Sequence, residues 1–123
     1  MLVDSGGQYL DGTTDVTRTI ALFPNEKKVN QEKKDRFTRV LKGHIAVAHT
    51  NLKLDNTGIK IDKRARKYLN QSKLDYAHGT GHGVGFFLNV HEGPQSITKI
   101  NTVKIREGMI LSNEPGYYKT CLL

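Results

Sequence analysis

The sequence predicts an α+β fold, on three observations. Strand-favouring residues flank a glycine-rich turn near the start, two central stretches carry apolar residues at helical spacing, and two apolar strands follow, bounded by glycine and proline. The order hairpin, helix, helix, strand, strand sets the helices on one face of a mostly antiparallel sheet.

The hairpin is read in "LVDSGGQYLDGTTDVTRTI" at 2–20. Thr13, Thr14, Val16, Thr17, Thr19 and Ile20 favour a strand, and "GGQYLDG" at 6–12 supplies the turn. Pro24 and Asn25 break the chain. From Gln31 to about His49 a helix is expected, because Phe37, Val40, Leu41, Ile45 and Ala48 recur at helical spacing opposite Lys, Arg and Asp. Gly43 weakens its middle and marks close packing against a neighbour. "KLDNTGIKI" at 53–61 reads as turns, after which Asp62 caps a second helix whose apolar side is Ala65, Tyr68 and Leu69. "FFLNV" at 86–90 and residues 109–114 are the last two strands, the second ended by Pro115 and Gly116.

A chain of 123 residues is one domain at most. No apolar run approaches the ~20 residues of a membrane span, so no membrane partner is expected. The start lacks a basic n-region and an apolar h-region, so no secretory signal is expected either. The single cysteine, Cys121, cannot form an internal disulfide and reads as an incidental thiol; the expected location is cytoplasmic. A net charge of +7 raises nucleic-acid binding. Lys27-Lys28, Lys33-Lys34 and "DKRARK" at 62–67 carry much of it, yet Glu26, Glu32, Asp35 and Asp62 interrupt them and no aromatic residues interleave. Solvated helix faces explain these charges, and no nucleic-acid partner is expected.

Chemistry concentrates in "HGTGHGVGFFLNVHEGP" at 78–94. The step from His78 to His82 mimics a helical zinc-protease pair, but Gly79, Gly81, Gly83 and Gly85 each cost a helix interior about 1 kcal/mol. The stretch is therefore a loop running into a strand. A turn near Tyr9–Leu10 puts Asp4 opposite Asp15, with Cβ atoms roughly 4.5–5.5 Å apart, where like charges destabilise a sheet unless a cation lies between them; the alternative is a distorted hairpin with both acids in water. Glu114 ends an apolar strand just before a proline, at a fixed place or simply exposed. His82 follows glycines that let a backbone come close to something else. Two aspartates, a glutamate and a histidine form an oxygen-rich set that suits Mn, Co, Fe or Zn in a hydrolase better than a structural zinc. His44 and His49 read as packed or half-exposed side chains.

"DSGGQYLDGTTDVTRT", "HGTGHGVGFFLNVHEGP" and "NEPGYY", with "VLKGHIAVA" at 40–48, resemble the signature blocks of aminopeptidase P, the Xaa-Pro aminopeptidase family, from about residue 2 to Tyr118. The resemblance implies a partial pita-bread (creatinase/aminopeptidase-like) fold and two divalent metal ions, Mn²⁺ first, with Co²⁺ or Zn²⁺ as alternatives. It implies Asp4, Asp15, His82 and Glu114 as metal ligands. His91 then stabilises the tetrahedral intermediate, His78 is an active-site histidine that binds no metal, and Glu114 also shuttles a proton. Peptides with proline at the second position are the implied partners, and metal-assisted hydrolysis the implied reaction.

The departures lie at the ends. The family has further domain structure before "DSG" and a fifth ligand, a glutamate, after "EPGYY"; no residue after Tyr118 here is acidic. Residues 1–123 are expected to be an incomplete metallopeptidase catalytic domain, from a split, decaying or truncated reading frame. Such a piece should bind metals weakly and hydrolyse little, unless a homo-oligomer or a complementing polypeptide completes it. Prolidase or methionine aminopeptidase of the same fold are the alternatives, with a non-catalytic binding module behind them; Asp4, Asp15, His82, His91 and Glu114 together weigh against the last.

Overall fold

The structure is a computed structural model that describes residues 1–22 and 29–119. The expected break at Pro24 and Asn25, the Lys27-Lys28 pair with Glu26, and Cys121 lie outside the described residues.

Strands β1 (Leu2–Tyr9) and β2 (Gly12–Thr19) form the expected antiparallel hairpin. Its turn sits at Leu10 and Asp11, one residue later than expected, and this moves the register by two. Asp4 therefore pairs with Thr17 and Asp15 with Gly6, which corrects the expectation that the two aspartates are directly opposed. Strand side chains alternate with a period of two, so a two-residue shift keeps both aspartates on one face. They are diagonal neighbours, a relation that in sheets spans about 7–8 Å.

Helix α1 (Gln31–Ala48) begins where the apolar spacing begins, and the Asn30 side chain caps it by accepting from the Lys33 N–H at 2.9 Å. Helix α2 (Gly58–Asn70) is capped at Thr57, five residues before the expected Asp62 cap, and the Thr57 side chain makes no capping bond. Asp62 is instead an interior, buried residue paired with Arg66 one turn on. The helices pack on each other. A Cβ at Gly43 would collide with the Ala65 carbonyl oxygen, so glycine sets the approach of α1 to α2, as expected.

Strands β3 (Gly81–His82) and β4 (Ser96–Ile97) form a second two-stranded antiparallel sheet. The described residues thus contain two small sheets, and α2 packs on β4. "FFLNV" is not a strand. Gly85 N–H donates to the Asn89 carbonyl at 2.9 Å and Leu88 takes φ +50°, so the run folds back on itself and its β-branched and aromatic content is overridden. Residues 109–114 form no continuous strand either. Gly83 and Leu111 make an isolated bridge, and Ser112 and Glu114 donate their N–H groups to the carbonyls of His82 and Thr80, each at 2.8 Å.

The core is small. Ile61, Ile97 and Ile105 meet at its centre, with Val47 and Leu111 packed against them. Burying each isoleucine contributes about 1.5–3 kcal/mol relative to leaving it in water. The α1 residues expected to face this core are less covered: Phe37 is 55% exposed and Leu41 45%.

Candidate active site

The site forms where β2, β3 and the extended 111–114 segment meet. Gly81 lets two of these come together, since a Cβ there would collide with the Ser112 carbonyl oxygen. Ser112 then links both neighbours: its Oγ accepts from the His82 N–H at 2.9 Å and donates to Glu114 Oε1 at 2.6 Å. A free glutamate side chain loses rotamer freedom when ordered, and this hydroxyl helps to hold one conformer.

The His82 ring is oriented from behind. Its Nδ1 lies 2.9 Å from the Gly83 carbonyl, which can only accept, so Nδ1 carries the proton and the Nε2 lone pair points away. Nε2 is buried and makes no hydrogen bond. Asp15 Oδ2 lies 3.1 Å from it and Glu114 Oε1 2.9 Å, within ion-pair range but outside hydrogen-bond geometry. A lone pair facing two carboxylate oxygens is repulsive unless something positive sits among them. A second ring proton needs a linear acceptor, which neither oxygen offers, whereas a cation has no such demand. One ligand atom from each of Asp15, His82 and Glu114 lies within 4.8 Å of the others, the spacing that a shared cation requires. Two oxygens and one imidazole nitrogen fit a divalent first-row metal, and the backbone-bonded Nδ1 is the outer-shell arrangement that metal-bound histidines show.

Asp4, Asp15, His91 and Glu114, with Leu88 and Val90, line one cleft of about 390 Å³. Asp4 thus shares the cleft but is not among the three converging residues. His91 stacks at a tilt against His82, ring centroids 4.1 Å apart. His78 is further back. Its Nδ1 faces the Gly79 carbonyl at 2.7 Å, leaving Nε2 to accept from the Tyr118 hydroxyl at 3.1 Å. Burial, together with the negative charges of Glu114 and Asp4, raises the Tyr118 phenol above its ordinary range. His44 lies outside this group, exposed and 3.1 Å from the Asn113 carbonyl through Nδ1. His49 is exposed at the end of α1.

Reading the residues alone passed over Ser112, Tyr118 and a buried group behind β3. In that group Arg66 binds Asp62 and Asp75, and Thr80 binds Asp62. The four-residue step from Asp62 to Arg66 was the available signal, but a turn-rich stretch before Asp62 suggested a cap instead. Nothing in the residue order marks Ser112 as a neighbour of His82, because that contact depends on how segments thirty positions apart pair.

Hairpin, helix pair and paired short strands around a carboxylate–imidazole cleft match the pita-bread class of metallopeptidases. The chain belongs to metallopeptidase family M24, whose family model matches residues 1–121. A probable Xaa-Pro aminopeptidase P from Laccaria bicolor is 54% identical over 121 residues, covering 95% of this chain and 18% of the relative. Among solved structures, the X-prolyl aminopeptidase of Caenorhabditis elegans, described as a cytosolic enzyme with a di-nuclear active site, superposes with a TM-score of 0.83 at 42% identity. That match covers 96% of this chain and 18% of the other. Prolidase from Pyrococcus furiosus gives a TM-score of 0.81 at 27% identity, covering 96% of this chain and 33% of the other. The chain therefore spans less than a fifth of the length of the curated relatives it matches.

Proposed function

We propose that this chain carries most of the metal site of an Xaa-Pro aminopeptidase, which removes the N-terminal residue from peptides with proline second. The observation that carries this reading is the buried His82 Nε2, without a hydrogen bond and between Asp15 and Glu114 oxygens. Asp4, Asp15, His82 and Glu114 would hold two divalent ions, Mn²⁺ first, with Co²⁺ and Zn²⁺ as alternatives. When bound, such a pair supplies Lewis acidity at the scissile carbonyl and acidifies water. Glu114 accepts a proton from water and returns it to the leaving proline nitrogen. His91 donates a hydrogen bond to the developing oxyanion, a contact whose loss costs about 10²–10³ in rate. His78, paired with Tyr118, supports the cleft without binding metal.

Residues 1–123 are, in this reading, part of a metallopeptidase catalytic domain, acting in the cytoplasm like its cytosolic neighbour. Identity to the X-prolyl aminopeptidase exceeds that to the prolidase, which favours longer Xaa-Pro peptides over dipeptides. Mn²⁺ titration by calorimetry tests the site. The parent chain should bind, and Asp15→Asn and His82→Ala should each weaken binding by about tenfold or more. Equal binding by all three proteins rejects the ligand assignment.

A further inference from the structure

Behind the candidate site, α2 sends a buried ionic fork into the segment that leads to His82. Arg66 is 3% exposed. Its Nε donates to Asp62 Oδ2 at 2.7 Å and its Nη1 to Asp75 Oδ1 at 2.6 Å. Nη1 also donates to the Tyr76 carbonyl and Nη2 to the His78 carbonyl, both at 2.7 Å, while the guanidinium lies 3.8 Å over the Tyr76 ring. One rigid planar group thereby fixes two backbone carbonyls in the approach to β3.

The fork continues through Thr80, which is fully buried. Its hydroxyl donates to Asp62 Oδ1 at 2.6 Å and, having donated there, accepts from the Tyr76 hydroxyl. The Thr80 backbone faces the site: its N–H donates to the Ile97 carbonyl at 2.7 Å, and its carbonyl accepts the Glu114 N–H at 2.8 Å. His82 is two residues further on. A single residue therefore connects α2, through its side chain, to the backbone that carries Glu114 and His82.

A buried ionic group is weak evidence of net stability. Replacing a buried ion pair by well-packed apolar residues is often neutral or stabilising. What the fork adds is fixed geometry, and metal ligands need placement within about 0.5 Å. We propose that Arg66, Asp62 and Thr80 are positioning residues, which hold His82 and Glu114 at the separation that a cation requires. The proposal rests on the metal-binding reading above.

Thr80→Val keeps the shape of the side chain and deletes the hydroxyl; Thr80→Ser keeps the hydroxyl. In the full chain, Thr80→Val should weaken Mn²⁺ binding by up to about tenfold, the lower end of what losing a direct outer-shell partner costs, since Thr80 acts on the ligands through the backbone; Thr80→Ser should stay close to the parent. A lower unfolding midpoint for Thr80→Val with unchanged Mn²⁺ affinity of the folded protein overturns the proposal. If Thr80→Val fails to fold, Tyr76→Phe removes only the hydroxyl that donates to Thr80, and the same two outcomes apply. If the parent binds no Mn²⁺, the metal reading fails by itself. Positioning is then decided in metal-free protein by hydrogen exchange of the Glu114 amide: faster exchange in Thr80→Val than in Thr80→Ser upholds it, and equal rates overturn it.

Discussion

At the residue scale, two side chains show how environment sets chemistry. The backbone fixes the His82 tautomer, because the Gly83 carbonyl takes the Nδ1 proton and directs Nε2 at the carboxylates. Asp75 shows the opposite balance of burial and charge. Partial burial would raise its pKa, but hydrogen bonds from Lys99 and Arg66 outweigh this and lower it from 3.8 to about 2. A depressed carboxylate stabilises the fold at pH values above its unfolded pKa, and that contribution disappears as pH falls through about 2. Acid unfolding followed by circular dichroism should therefore show the parent more stable than Asp75→Asn at neutral pH, with the gap closing between about pH 4 and pH 2. A gap that does not change with pH would mean the ion pair contributes nothing. Asp15 stood out by its expected place across the hairpin from Asp4, His82 by its glycine-rich approach and Glu114 by the proline that follows it. That they come together was implied only by the family resemblance, since it depends on pairings between distant segments.

At the scale of elements, the helices were the clearest and the strands the least clear. Over eighteen residues of α1 the apolar spacing repeats, and its start at Gln31 was readable. Strands β3 and β4 have two residues each, too short for alternation to register, so "FFLNV" drew attention that belonged to Gly81–His82. The Asp62 misreading has the same origin: one acidic residue after turn-like composition looks like a cap until burial and the Arg66 pair are known. Gly43 makes a direct test of the helix pair. Gly43→Ala should lower stability by about 1–3 kcal/mol, as overpacking usually does, despite alanine's better helix propensity. Thermal unfolding measures this, and an increase in midpoint would show that the helices can separate without cost.

Across the whole molecule, the family and fold class were legible because three motif blocks stand in order from near the start of the chain to Tyr118, and the M24 family model matches residues 1–121. The hairpin register was misjudged by two, yet both aspartates kept the same face, because strand periodicity forgives even shifts. Metal binding should couple to global stability, since Asp15 comes from β2 and Glu114 from a segment near the other end. At Mn²⁺ one hundred times its dissociation constant, the shift is about 2.7 kcal/mol. Scanning calorimetry should record it as a higher midpoint in the parent and, for a tenfold loss of affinity, a rise of only about 1.4 kcal/mol or less in His82→Ala. An equal rise in both would place the ion elsewhere.

The hairpin backbone packs on no other helix or strand among the described residues; Gln8 ties it to the 86–88 loop, by bonds to the Phe86 carbonyl and the Leu88 N–H, and Asp15 reaches His82. Asp15 is thus the hairpin's contribution to the converging trio, and an ion held there would fasten the first strands of the chain to the body by the same bonds that complete its coordination.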